Sequence, residues 1–311
     1  MPTPAPSQNG QQSADSGLWR RSALNESVCR QARSACPHVV WQLAAAKSTG
    51  RKALPNGTNH ASGMCVSDLA PVGIVGDGRV ASHVLHYLRL LDTPVRAWSR
   101  RAAVMSPVDT LASCETVLLL VRDGAIEPFV REWPALRDKR LVHFSGSVVT
   151  SSAQAAHPLM TFGRDLYELD TYRRIPFILD ERTTPFHELL PSLPNPWFSI
   201  PARERPYYHA LCVMAGNFST LLWLKLLEEL QGRYGIPASA AHPYLEQMAT
   251  NVRINPDAAL TGPLPRGDMK TVAANLKALE GDAFSAVYAA FVRAFEHGRP
   301  LPGHRVDGLR S

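Results

Sequence analysis

The stretch Val72-Gly73-Ile74-Val75-Gly76-Asp77-Gly78-Arg79-Val80-Ala81 decides the fold of this chain. Val72 to Val75 form a short apolar run that predicts a buried strand, and the glycines that follow predict a tight turn. From Arg79 to Leu91 the apolar residues recur on one face, which predicts a helix. A strand, a Gly-x-Gly-x-x-Ala loop and a helix in this order are typical of a dinucleotide-binding Rossmann domain.

The residue types in this loop suit a bound diphosphate. Gly76 permits the turn, Gly78 lets the main chain approach the ligand, and Ala81 lets the helix pack closely on the strand. The anion would lie at the helix N-terminus, where free N–H groups and the helix dipole favour negative charge. We therefore predict that the cofactor contacts Gly76, Asp77, Gly78, Arg79 and Val80. The alternative is a glycine turn that binds nothing.

The end of the second predicted strand selects between the two nicotinamide cofactors. An NAD site has an Asp or Glu here to accept hydrogen bonds from the ribose, but this chain has Trp98-Ser99-Arg100-Arg101. Guanidinium groups form bidentate, charge-assisted hydrogen bonds with phosphate oxygens. Ser99, Arg100 and Arg101 therefore favour the 2′-phosphate of NADP over NAD, the alternative being a solvated basic turn.

Further strands and helices alternate along the chain up to about residue 182. Strands are predicted at Val95 to Trp98, Val117 to Val121, Leu141 to Phe144 and Ile175 to Leu179. This order predicts a doubly wound parallel sheet, in which ligands bind at the carboxyl ends of the strands. Val121, Ser145 and Gly146 follow such ends and are predicted to contact the cofactor, although Ser145-Gly146-Ser147 also suits an ordinary loop.

The pattern changes after residue 182, where four amphipathic segments between Pro206 and Glu296 predict an all-α C-terminal domain. We expect an NADP-binding Rossmann domain at 64–182, a helical substrate or dimerisation domain at 183–297 and a flexible tail at 298–311. Residues 1–63 are expected to be a disordered leader. The leader fits a targeting segment, a solvated tail, or a start assigned too early, with Met64 as the true start.

Composition narrows the class of protein. The net charge is +6, and residues 1–63 supply most of it, with seven Lys or Arg against two acidic residues. The remaining chain is nearly neutral, which gives no basic face for nucleic acid. Five scattered cysteines predict no disulfide framework and fit the cytoplasm. No apolar run reaches the roughly 20 residues of a membrane span, so no membrane association is expected.

Several segments together resemble bacterial proteins that pair a Rossmann-like domain with the domain of unknown function 2520. The resemblance covers about residues 70 to 297, and these segments carry it: Gly76 to Ala81, His143 to Gly146, His157 to Phe162, Tyr208 to Ala210, Asn217, and Leu260 to Asp268.

The resemblance implies a relative of pyrroline-5-carboxylate reductase, ketopantoate reductase and the 6-phosphogluconate dehydrogenase group. It further implies NADP binding, a C-terminal helical domain like that of 6-phosphogluconate dehydrogenase, and a homodimer. Several relatives use a Lys four residues before an Asn on the first interdomain helix. Here Asn217 is present, but the corresponding residue is Val213, so a lysine proton donor is absent.

Three polar residues, His209, Asn217 and His157, are candidates for catalysis. His209 and Asn217 are eight residues apart, with Val213 halfway between them, so a regular helix would present all three of these positions on one face. His209 could be the general acid, and Asn217 could orient the substrate or the nicotinamide. His157 precedes Pro158 in a predicted connection and could face the same cleft. The alternative for all three is a structural polar contact.

Thr261, Gly262 and Arg266 are candidates for binding an acidic substrate or the site of a partner subunit, since an arginine suits a carboxylate. The neighbouring Asp268 predicts only a helix N-cap. The histidines show no spacing typical of metal ligands, so we expect no catalytic metal.

These observations predict a cytoplasmic NADP(H)-dependent oxidoreductase that reduces a C=O or C=N bond of a small, acidic metabolite. The alternative is a non-catalytic dinucleotide-binding sensor or interaction protein, because a fold alone does not determine function.

Overall fold

The computed structural model describes residues 70–298. The leader, Met64 and the tail beyond Gly298 lie outside the described residues. The strands of the sheet are β1 (Val72–Val75), β2 (Val95–Trp98), β3 (Thr116–Leu119), β4 (Arg140–His143), β5 (Gln154–Pro158), β6 (Phe177–Asp180) and β7 (Trp197–Ile200). Their order across the sheet is β2-β1-β3-β4-β5-β6-β7.

The pairing of the strands positions the loops that matter for function. Strands β1 to β5 are mutually parallel, so their carboxyl ends meet at one edge of the sheet. Strand β6 is antiparallel to β5 and parallel to β7. The Gly76–Gly78 loop, Ser99, Val121 and Ser145 therefore share one edge.

Short helices cover both faces of this sheet. They are α1 (Arg79–Leu90), α2 (Pro107–Thr110), α3 (Ile126–Glu132), α4 (Leu169–Arg173) and α5 (Phe186–Leu189). One apolar core joins α1, α4 and α5 to the sheet through residues such as Leu88, Leu118 and Phe186. The other joins α3 to the opposite face through Val117, Ile126 and Phe129. Two cores on one sheet confirm the predicted α/β Rossmann-like class.

The expectation of a parallel sheet is corrected at its far end. Strands β5 and β7 were not expected from the sequence, and β6 and β7 run opposite to the other strands. His157 therefore lies in strand β5, paired with Ile178, rather than in a connection. The mixed α/β part extends to Ile200, beyond the expected change at residue 182.

The chain after Ile200 is helical up to Gly298. The helices are α6 (Arg205–Val213), α7 (Ser219–Tyr234), α8 (His242–Ile254), α9 (Met269–Ala278) and α10 (Ser285–Gly298). A π-helical segment, Met214–Phe218, joins α6 to α7 without a break. Gly235 then ends α7 in the left-handed conformation that glycine adopts without strain.

The continuous helix Ala202–Tyr234 is long and apolar enough to cross a membrane, judged by length and composition alone. This contradicts the expectation that no apolar run approaches that length. A single such helix is weak evidence for a membrane protein, since helices that pack against other protein pass the same test.

Candidate active site

The Gly76–Gly78 loop forms an open main-chain cradle. Gly76 has φ +127°, and a Cβ there would overlap the carbonyl oxygen of Leu120. A Cβ on Gly78, in contrast, would meet no atom within 4 Å. No side chain caps the first turn of α1, so its N–H groups remain available to an anion. The residues present thus fit a bound diphosphate.

A cavity of about 370 Å³ extends from this cradle along the carboxyl edge of the sheet. Its lining includes most of the predicted cofactor residues: Gly76, Asp77, Gly78, Ser99, Arg100, Arg101 and Val121. Arg79 instead donates a hydrogen bond to the carbonyl oxygen of Phe162, at 3.4 Å. Val80 is half-buried and packs against the core.

Both arginines after β2 are held by carboxylates near the cradle. Arg100 Nη2 lies 2.5 Å from Glu132 Oε2, and Arg101 Nε lies 3.2 Å from Asp77 Oδ2. The arginine side chains are 68% and 84% exposed, so these ion pairs contribute only about 0–1 kcal/mol. A phosphate could therefore replace either carboxylate at little energetic cost.

A group of polar rings lies beyond the end of β4. His209 of α6 packs directly on Gly146, because a Cβ at that glycine would overlap the imidazole ring. His157 Nδ1 lies 2.8 Å from the hydroxyl oxygen of Tyr208. The rings of His157 and His209 meet edge to face, with centroids 5.5 Å apart. We call His157, Tyr208 and His209 the ring cluster.

Burial controls the ionisation of this region. Burial, with smaller contributions from His209 and Arg205, lowers the pKa of His157 to about 4. Burial and Arg205 likewise lower the pKa of His143, at the end of β4, to about 4. Burial raises the pKa of Tyr208. At neutral pH His157 is therefore uncharged and shares one hydrogen bond between its Nδ1 and the Tyr208 hydroxyl.

Arg205 fixes α6 to the sheet beneath the ring cluster. The residue has 0% exposure, and its guanidinium donates to the carbonyl oxygens of Ser145 at 2.5 Å and Ile178 at 3.3 Å. Three buried nitrogens here have no hydrogen-bond partner among residues 70–298: His143 Nδ1, His209 Nδ1 and Arg205 Nε. Such groups are costly unless a water or a ligand satisfies them.

Ser145 and Gly146 lie between the cradle and the ring cluster. The Ser145 hydroxyl accepts hydrogen bonds from the N–H groups of Ser147 and Val148, so its side chain stabilises the turn. Gly146 is buried beneath His209. Both residues thus have structural contacts in addition to their position at the sheet edge.

Asn217 is not part of the ring cluster. It is exposed and lies in the π-helical segment, and its side chain makes no hydrogen bond within residues 70–298. The wider π turn changes the residue spacing that returns a side chain to the same helix face. The shared face of His209 and Asn217 stays a prediction.

The loop that contains Thr261, Gly262 and Arg266 is also separate from the ring cluster. Thr261 and Arg266 are exposed, and in the described part of the chain no hydrogen bond or ion pair links the loop to the ring cluster. Asp268 accepts from the Thr271 N–H and caps α9, as its sequence position suggests. Among residues 70–298, no group of three His, Cys, Asp or Glu could hold a metal ion.

Sequence reasoning missed Tyr208, Arg205 and His143 as members of the site. Tyr208 directly precedes His209 in the sequence, and this position next to a candidate catalytic residue was the signal that could have identified it. No local pattern identifies a fully buried arginine, because arginine is usually exposed.

Solved structures with this fold include oxidoreductases. A candidate NADP oxidoreductase from Bacteroides fragilis is 20% identical over 74% of this chain and 99% of its own, with a TM-score of 0.59. A Thermotoga maritima protein is 23% identical over 72% and 96%, with a TM-score of 0.54. A Streptomyces aurantiacus imine reductase is 15% identical over 73% and 94%, with a TM-score of 0.52. The TM-scores show that the fold is shared, and at identities this low the similarity shows the fold alone.

No curated protein matches this chain at a significant level. Residues 180–295 match the family described as domain of unknown function DUF2520. This segment contains the long helix with His209 and the loop with Arg266. The chain therefore combines a Rossmann-like α/β sheet with a segment that matches DUF2520.

Proposed function

We propose that this chain is an NADP(H)-dependent oxidoreductase that reduces a C=O or C=N bond of a small, acidic metabolite. The observation that carries the proposal is the open cradle at Gly78, beside two arginines and at the same sheet edge as the ring cluster. Similarity in fold to an NADP oxidoreductase and an imine reductase supports it.

The cofactor would lie along the carboxyl edge of the sheet. The N–H groups at Gly78 and Arg79 would bind its diphosphate, and Ser99, Arg100 and Arg101 would bind the 2′-phosphate. Because no acid follows β2 at these positions, NADP is favoured over NAD. The nicotinamide half would extend past Val121 toward Ser145 and Gly146.

A bound NADPH supplies the hydride for reduction. The chain's own residues would orient the substrate, exclude water and provide the proton. His209 lies against Gly146 and would donate the proton to the developing alkoxide or amine. His157, uncharged at neutral pH, would hold the Tyr208 hydroxyl beside it.

We also propose that the α/β part up to Ile200 and the helical part after it act as cofactor and substrate domains in a cytoplasmic homodimer. Large apolar side chains are exposed along α6 to α10, as expected for a surface that another chain covers: Leu211, Met214, Phe218, Leu221, Leu224, Ile254, Met269 and Phe291. Asn217, Thr261, Gly262 and Arg266 would then bind substrate where two chains meet.

The second candidate function is dinucleotide binding without catalysis, as in a sensor or interaction protein. It is favoured by Val213, which stands where relatives have a catalytic lysine. Tight NADPH binding without turnover on a broad panel of oxo acids, esters and imines would support this alternative.

Titration with NADPH and NADH tests the cofactor assignment directly. The double variant Arg100→Ala/Arg101→Ala should weaken NADPH binding by about 10- to 100-fold and leave NADH binding nearly unchanged. Arg89→Ala, exposed at the other end of α1, is the matched control. Equal loss for both cofactors, or no saturable binding of either, would contradict the proposal.

A further inference from the structure

Arg205 is a positive charge buried beneath the ring cluster, where the proposed function puts the substrate cleft. It begins α6, has 0% exposure and is bonded only to carbonyl oxygens among the described residues. Neither Ser145 nor Ile178 supplies a negative charge through these bonds. A buried charge acts strongly on its surroundings, because little solvent is present to screen it.

The carboxylates near this charge are engaged elsewhere. Asp180 accepts from the Arg182 side chain at 2.9 Å and from the Arg182 N–H at 2.9 Å. Asp123 accepts from the Ser147 hydroxyl at 3.0 Å. No carboxylate forms a hydrogen bond with any member of the ring cluster within residues 70–298.

The positive charge of Arg205 also affects the pKa values of the neighbouring histidines. For both His143 and His157, the Arg205 charge lowers the pKa, whereas Asp123 raises it, and Asp180 and Glu127 also raise the pKa of His143. Asp180 is paired with Arg182, so the Arg205 guanidinium has no hydrogen-bonded carboxylate among the described residues. Such a charge would repel a protonated iminium and attract a carboxylate or a developing alkoxide.

We propose that the cleft takes a small oxo acid, reduces its C=O bond in preference to a C=N bond, and owes this preference to the buried guanidinium of Arg205. The inference rests on the proposed function and deepens it. Arg205 is a positioning residue, because it is fully buried and does not contact the substrate. It acts through its charge and through its hydrogen bond to the Ser145 carbonyl oxygen.

The reaction balances with groups already named. A hydride passes from NADPH to the carbonyl carbon, the C=O π electrons move to oxygen, and His209 donates a proton to that oxygen. NADPH is oxidised to NADP⁺, and the oxo acid becomes a hydroxy acid.

The first test compares matched ligands on the unmodified protein. We would measure NADPH oxidation and ligand binding to the NADP⁺-loaded protein for a 2-oxo acid, its methyl ester and a cyclic imine protonated at neutral pH. Binding of the oxo acid should be at least about tenfold tighter than that of the ester, with the imine weakest. Equal or reversed preference in the loaded protein overturns the inference.

A lack of NADPH binding would instead refute the proposed function itself, so the two failures are distinguishable. Turnover without a preference for the acid would retain the function and reject the role of Arg205.

Variants then test Arg205 specifically. Arg205→Met should raise KM for the oxo acid far more than for its ester, and Arg205→Lys should restore the preference. Arg203→Met is the matched control, since that side chain is on the same turn and 79% exposed. If Arg205→Met folds and retains the preference for the acid, the inference is wrong; if it does not fold, the ligand comparison still decides.

Discussion

Gly76 and Gly78 are two residues apart and have different physical tasks. Gly76 is required by the fold, because its φ of +127° and the nearby Leu120 carbonyl exclude a side chain. Gly78 has extended backbone geometry and open space around it, so the fold alone does not require a glycine there. Its requirement comes from the ligand that we propose.

Alanine at each glycine should separate these tasks. Gly76→Ala should lower the free energy of unfolding by about 2–3 kcal/mol or more, measured by urea titration, because of strain and overlap. Gly78→Ala should leave that free energy within about 0.5 kcal/mol and weaken NADPH binding by tenfold or more. Gly232→Ala, on an exposed helix, should not change NADPH affinity. A Gly78→Ala protein with unchanged affinity would count against the cradle.

The buried histidines predict how stability depends on pH. The folded-state pKa values of His143 and His157 are about 4, below the ordinary 6.5, so the unfolded chain binds more protons between these values. Stability is therefore complete above about pH 6.5 and falls as the pH drops toward 4. The lowered pKa values of Asp180 and Glu127 act in a more acidic range.

Urea unfolding at pH 7.5 and pH 5 should show this effect. Each histidine should contribute about 2 kcal/mol to the loss of stability between the two pH values. His143→Gln and His157→Gln should each reduce the loss of stability between the two pH values by that amount, even if the substitution also changes the stability at pH 7.5. A variant with the same pH dependence as the unmodified protein would show that the histidine is not held neutral.

At the scale of elements, the loop from Leu159 to Glu168 is held against α1 by a buried histidine. His83 Nδ1 accepts from the Tyr172 hydroxyl at 2.8 Å, and its Nε2 lies 3.1 Å from the carbonyl oxygen of Gly163. Tyr167 closes the loop by donating to the Thr161 carbonyl. Because Arg79 donates to Phe162 in the same loop, the arrangement is coupled to the cradle.

Loss of His83 should loosen this loop. His83→Phe keeps a ring in place and removes both hydrogen bonds, so amide exchange of residues 159–168 should increase by about tenfold or more. NADPH affinity should fall modestly through Arg79. His187→Phe, at an exposed position, should leave exchange of the loop unchanged. Unchanged exchange in His83→Phe would contradict the coupling.

At the scale of the whole molecule, the exposed apolar surface of α6 to α10 is expected to be buried against another chain. The long helix is unburied over its most apolar window. We propose that a second copy of the chain covers this surface, since α6 to α10 expose many large apolar side chains.

Size-exclusion chromatography with light scattering tests this assembly. The unmodified protein should have the mass of two chains, and Leu221→Glu should shift it toward one, because a charge would be buried at the interface. Val104→Glu, fully exposed in the loop after β2, is the control. A monomer that remains soluble without detergent, or recovery only in a membrane fraction, would refute the dimer.

The sequence by itself determined the parts that depend on neighbours along the chain. The apolar run before Gly76, the periodicity of α1 and the run Val117 to Leu120 predict the Rossmann-like class, and the structure confirms that class. The helical character of residues 205–298 follows from the same local periodicity. These signals are local because a strand or a helix repeats its pattern over a few residues.

Only the tertiary structure decided which side chains meet. Gln154–Pro158 contains a proline and no apolar alternation, and it becomes a strand because β4 and β6 supply its partners. That strand brings His157 to Tyr208, and α6 lays His209 on Gly146 and buries Arg205. The π-helical segment places Asn217 in a helix register that no local pattern predicts. Strand pairing, burial and helix register join residues distant in sequence, so no local pattern contains them.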